Sequence, residues 1–146
     1  MKLTVRPLTP DSWPALEDLF GKNGACNGCW CMYWRVGNAY KKRPRDINKR
    51  GSWRLKRIDD LPVWSICCLY VRIGYRKRGV TSRLIAAAMQ TAKRARAPAL
   101  EAYPFDAGKS PSASGTGYRS TFAHAGFKTV ARRVPARPIM RYDFTS

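Results

Sequence analysis

Apolar and polar positions along the chain repeat with distinct periods, and each period predicts an element. Leu3 to Leu8 alternates as a short strand. Thr9-Pro10-Asp11-Ser12 then supplies helix-start chemistry, with polar oxygens for open backbone N–H groups and a proline tolerated early. Trp13, Leu16, Leu19 and Phe20 share one face of the helix that follows, and Gly21 to Gly28 breaks it. Cys29 to Trp34 is a short apolar run, read as a helix. The strongest strand pattern is Val63 to Val71, nearly all apolar and rich in β-branched and aromatic residues, as expected of a central strand covered on both faces. After a basic turn, apolar residues recur at Leu84, Ile85, Ala88, Met89, Ala92 and Ala95, opposite Arg83, Gln90, Lys93 and Arg94, which predicts an amphipathic helix stopped by Pro98.

Ala99 to Tyr103 reads as the next strand, closed by Pro104. Strand, helix and strand with short connections predict a βαβ unit with parallel strands. Residues 107–117 are rich in Gly, Ser and Pro and predict a loop. Tyr118 to Ala125 reads as a short helix ended by Gly126. Phe127 to Arg133 and Ile139 to Phe144 follow as two strands, with Pro135 and Pro138 in their connection.

Composition changes this picture in two ways. A chain of 146 residues with 45% hydrophobic positions can bury a core, so wholesale disorder is excluded and one domain spanning 1–146 is expected. Against 28 Lys and Arg there are nine Asp and Glu, a formal net charge of +19 that favours an anionic partner. Ten of the cations, from Arg35 to Arg57, face the single acid Asp46, so the segment 35–62 reads as basic and irregular, with only Trp53, Leu55 and Ile58 alternating as an edge strand. Cations interleaved with Tyr33, Tyr40 and Trp53 suit a nucleic-acid-binding module, an alternative function. The charged, proline-bearing start and the lack of a run of about 18 apolar residues predict a soluble, cytoplasmic protein with no membrane partner. Five cysteines, with Cys67 and Cys68 on opposite faces of a strand, are read as reduced thiols.

The strongest chemical signal is Arg76-Lys77-Arg78-Gly79-Val80-Thr81-Ser82, between a strand and the first turn of a helix. Helix N-terminal N–H groups lack intrahelical partners, and the aligned peptide dipoles make that end positive, so a phosphate fits there. Three cations opening a helix are otherwise unfavourable. Cys26, Cys29 and Cys31 have zinc-like spacing but no fourth ligand, and His124 is remote, so no metal is expected. With one histidine, no Ser-His-Asp or Cys-His arrangement stands out.

Val63 to Ala97, with its apolar strand, Tyr-Arg-Lys-Arg-Gly-Val-Thr turn and Ala-rich helix, resembles the acyl-CoA-binding core of the GNAT superfamily of N-acyltransferases. Phe122-Ala123-His124-Ala125-Gly126-Phe127, before two closing strands, resembles the superfamily's fourth-helix ending, and Leu3 to Phe20 its opening strand and helix. The resemblance implies an α/β (α+β) fold: a mixed, largely antiparallel sheet with a central parallel βαβ splay, flanked by helices. It also implies acetyl-CoA as cosubstrate, no metal, and direct attack by an amine of unknown identity. Leu69, Tyr70 and Val71 would pair with the pantetheine arm, and Arg76, Lys77, Arg78, Gly79, Val80, Thr81 and Ser82 would hold the pyrophosphate. Phe122 stands against the cofactor where many members have an acidic tyrosine, and Ser65 where some carry a glutamate. Glu101 and Tyr103 are then the catalytic candidates, with Tyr118 behind them. The hairpin that usually precedes the central strand has only the basic segment 35–62 to form it, so its absence is expected, with a homodimer completing the sheet edge. A catalytically impaired CoA-binding or interaction protein of the same fold remains the other alternative.

Overall fold

A computed structural model describes residues 1–21, 58–106 and 116–144. A 3-10 turn, Pro10–Ser12, leads into helix α1, Trp13–Phe20. Strand β1, Trp64–Ile66, is followed by helix α2, Val80–Arg94, and strand β2, Ala99–Ala102. Helix α3, Arg119–His124, and strands β3, Lys128–Val134, and β4, Arg137–Asp143, complete the order. The sheet runs β1-β2-β4-β3. β1 and β2 are parallel and joined through α2, whereas β4 is antiparallel to both of its neighbours. This is the mixed α/β arrangement that the order of patterns predicts.

Register divides the sheet into an apolar face and a polar one. Trp64 lies opposite Leu100, Ile66 opposite Ala102, and Ala102 opposite Met140. Ile66, Leu100, Ala102 and Met140 form one cluster with Ile85 and Ala92 of α2 and with Phe122 and Phe127. The other face carries Ser65 opposite Glu101 and Glu101 opposite Arg141. Side chains alternate along each strand, so the residues that build the core fix where the polar group sits.

Both helices that lead into strands, α2 and α3, end at a left-handed residue. α3 ends with Gly126 at φ 93°, and the N–H groups of Gly126 and Phe127 donate to the carbonyls of Ala123 and Phe122, each at 3.0 Å. α2 ends in the same pattern with Arg96 at φ 56°, where Arg96 and Ala97 donate to Lys93 and Ala92. These paired bonds satisfy carbonyls that a helix end otherwise leaves open.

Three sequence expectations need correction. Leu3 to Leu8 forms no strand. Pro7 lacks a backbone donor and all of these residues but Leu3 are exposed, so neither a ladder nor burial holds them. Val5 instead lies at an apolar groove of about 290 Å³ that Trp64, Ile66, Leu84, Ala88 and Leu100 also line. Second, the pattern Val63 to Val71 yields only the three residues of β1, and Trp64 and Ser65 are exposed. Among the described residues β1 ends the sheet, so it pairs on one side instead of being covered on both. Third, Pro138 is buried inside β4 and not in the connection. The β3–β4 register is irregular between Ala131 and Val134, where a residue without an N–H is tolerated. The expected Cys29 to Trp34 helix, the cysteine triplet, most of the 35–62 segment in which no hairpin is expected, and most of the 107–117 loop lie outside the described residues. The homodimer expectation, which rests on that hairpin, falls with them outside what the structure describes.

Candidate functional site

Between β1 and α2 the chain builds a cationic turn from local rules. Residues 72–79 are all exposed. Tyr75 N–H donates to Arg72 C=O at 3.1 Å, and Arg76 Nε donates to Val71 C=O at 2.9 Å, which folds the turn back on the end of its strand. Arg72 pairs with Asp18 of α1 at 2.5 Å. Lys77 and Gly79 take positive φ, 58° and 75°, and Gly79 is the N-cap of α2. A side chain at Gly79 would meet nothing within 4 Å, so φ, not crowding, requires the glycine.

No side chain caps α2 and its first turn holds no acid. The amides of Val80, Thr81 and Ser82 therefore point from a positive helix end, and among the described residues no carbonyl receives them. Residues 61–100 contain no Asp or Glu at all. This junction can hold an anion with backbone donors, two hydroxyls and the flanking cations of Arg76, Lys77 and Arg78.

Leu69, Tyr70 and Val71 continue from β1 toward this turn outside any strand, and each is half-buried. The Tyr70 ring packs edge-on against Phe20 of α1 with centroids 5.4 Å apart. Leu69 reaches Gly117, just before α3. Phe122 of α3 lies beside the same glycine but is fully buried, its ring edge-on to Phe127 at 5.2 Å. A Cβ on Gly117, where φ is 81°, would stand 2.9 Å from the Phe122 ring. Phe122 thus serves the core at a point directly under the Leu69 segment.

The polar face of the sheet gathers the second group. Glu101 is buried, and its Oε1 accepts from Arg141 Nε at 3.0 Å and from Arg141 Nη2 at 2.6 Å. Its Oε2 accepts from the Tyr103 hydroxyl at 3.1 Å. The far side of the Arg141 guanidinium grips Asp59 in a fork, Nη1 to Oδ2 at 2.7 Å and Nη2 to Oδ1 at 3.1 Å. Asp59 Oδ1 also accepts from Leu61 N–H, which fixes the strap leading into β1. Burial, then the negative charge and hydrogen bond of Glu101, push the Tyr103 phenol well above the usual tyrosine range, while the Ser65 hydroxyl acts the other way. The hydrogen bond to Asp59 is the foremost cause of the raised Arg141 pKa, helped by Glu101 and opposed by burial.

Glu101 and Tyr103, each a catalytic candidate from the sequence, are in contact. Asp59 and Arg141 were not expected. They lie 82 positions apart, and only the antiparallel register that sets Arg141 opposite Glu101 exposes the pairing. Tyr118 pairs with Phe105 in an isolated bridge and is exposed. His124 makes a local contact through Nδ1 with Ser120 C=O at 2.7 Å. Among the described residues no group of three His, Cys, Asp or Glu is placed to hold a metal ion. No described helix is long and apolar enough to cross a membrane.

The sequence from residue 14 to residue 109 matches the Acetyltransferase (GNAT) family. The chain belongs to that family. Neither the curated proteins nor the solved structures furnish a match. The GNAT match spans α1, β1, the cationic turn, α2 and β2, and it ends before α3 and the β3–β4 hairpin. Acyl transfer is the general activity of GNAT proteins, and acetyl-CoA their general donor.

Proposed function

We propose that this GNAT protein transfers the acetyl group of acetyl-CoA to an amine by direct attack. The observation that carries the reading is the uncapped, acid-free N-terminus of α2 behind Arg76, Lys77 and Arg78. There the backbone N–H groups of Gly79, Val80, Thr81 and Ser82 would bind the pyrophosphate, with the three cations neutralising it. The pantetheine arm would run along Leu69, Tyr70 and Val71 and pair with their backbone as an added strand does. Phe122 would back that path from the core.

Glu101 and Tyr103 are the candidates for removing the amine's proton. An ammonium acceptor gives one proton to the Tyr103 oxygen as the phenol passes its own to Glu101 Oε2, so the phenol stays neutral throughout. The freed nitrogen lone pair attacks the thioester carbon. As the tetrahedral intermediate collapses, the C–S bond breaks, and the thiolate takes the second proton from nitrogen through water. Phe122 offers no acid to the departing sulfur, an observation that favours the second reading: a relative that binds CoA without rapid transfer.

Calorimetric titration with acetyl-CoA at two salt concentrations tests the binding site. Saturable, salt-tolerant binding is expected, and its absence would overturn the assignment. Steep salt dependence on a generic duplex with no response to acetyl-CoA would favour the nucleic-acid alternative that the net charge of +19 suggests. Thiol release over a panel of amines separates enzyme from binder.

A further inference from the structure

Arg141 serves two carboxylates at once, and the two differ in surroundings. Asp59 is gripped by a two-point fork and its side chain is 45% exposed, whereas the Glu101 side chain is 6% exposed and meets the guanidinium through one oxygen only. One cation between two anions leaves the group with a formal charge of −1. A buried guanidinium paired with a single carboxylate strongly resists protonation of that carboxylate, because neutralising it strands a charge away from water. Here the cost is relieved. When Glu101 takes a proton, Arg141 keeps its fork to Asp59 and the cluster becomes neutral.

We propose that Asp59, through Arg141, is a positioning residue that keeps Glu101 able to accept a proton. The inference rests on the proposed role of Glu101 as proton acceptor. Its Oε1 is held by two Arg141 donors, so Oε2, which among the described residues accepts from Tyr103, is the oxygen that receives the proton. No oxidant, metal or further reactant enters the step. The other charged or titratable groups on this face are few. Cys67 and Ser65 stand on the β1 side near Tyr103, Lys128 of β3 lies opposite Arg141, and Asp143 follows two positions beyond it on β4. Lys128 and Asp143 are exposed and screened by water.

The chain contains only two glutamates, Glu17 and Glu101, so carboxyl-labelled glutamate gives two NMR signals, with the exposed Glu17 as internal control. Asp59→Asn removes the competing charge while leaving an amide that can still accept from Arg141. The expected result is that the pH-dependent change of the Glu101 signal moves to lower pH than in the parent protein, with the Glu17 signal unmoved. Asp59→Glu should restore the parent curve. A residue that merely anchored the strap would loosen Arg141 when altered and displace the Glu101 curve upward. An upward displacement, or none, overturns the proposal. Neither acetyl-CoA nor an acceptor is needed for this measurement, so its outcome is independent of the CoA titration. Once an acceptor amine is identified, the acid limb of kcat/KM should move downward in the same variant.

Discussion

From residue 61 to residue 100 the chain carries eight Lys and Arg and no carboxylate, and all eight cations are exposed; Arg141, by contrast, is buried between Asp59 and Glu101. The contrast follows from solvation. A charge in water is screened and costs little to leave without a counter-ion, so the Arg76 to Arg78 turn stays available to an incoming anion. A guanidinium taken out of water must be paired, and the pairing then fixes its neighbours. One region leaves its charges open to solvent, and the other uses its single cation to hold two carboxylates.

The largest test of this contrast removes the buried cation. Arg141→Ala leaves Glu101 without its guanidinium and should cost about 3–5 kcal/mol in chemical denaturation. Arg78→Ala, on the exposed side, should leave stability within about 0.5 kcal/mol. If the two variants unfold alike, the division fails. A second, smaller effect concerns Phe122. Phe122→Tyr sets a hydroxyl in a fully buried site against Gly117 and should cost roughly 1–3 kcal/mol without speeding thiol release, so a faster enzyme would refute the core role given to that ring. Third, Gly79→Asp places a side chain at φ 75° and a negative charge at the helix end. Acetyl-CoA affinity should drop about tenfold, close to 1.4 kcal/mol, as read by calorimetry. Arg78→Ala gives the mildest change, a loss of about threefold that shrinks as salt is added.

Much of this arrangement was legible where local chemistry decides it. The stripe from Leu84 to Ala95 became α2, opened by Gly79 and closed just before Pro98. Gly126 capped α3 as its lack of a Cβ allows. Glu101 and Tyr103 are two positions apart in the segment the sequence reads as a strand, and they meet although β2 itself ends at Ala102. What the sequence concealed depends on distant cover. Val63 to Val71 has the composition of a central strand, but composition does not state how many residues find a ladder, and three do. Leu3 to Leu8 alternates, but among the described residues no strand pairs with it to make the alternation matter. Arg141 was indistinguishable from other arginines of this chain until register placed it opposite Glu101.

The family match closes at residue 109, yet the guanidinium that holds Glu101 stands on β4, and β2 makes its antiparallel ladder with that same strand. A fragment trimmed to the matched span would keep the cationic turn while stripping Glu101 of its counter-ion and β2 of one of its two ladders. Subcloning by homology limits would therefore leave a buried carboxylate uncompensated beside an opened strand edge, so the closing hairpin must be kept with the matched span.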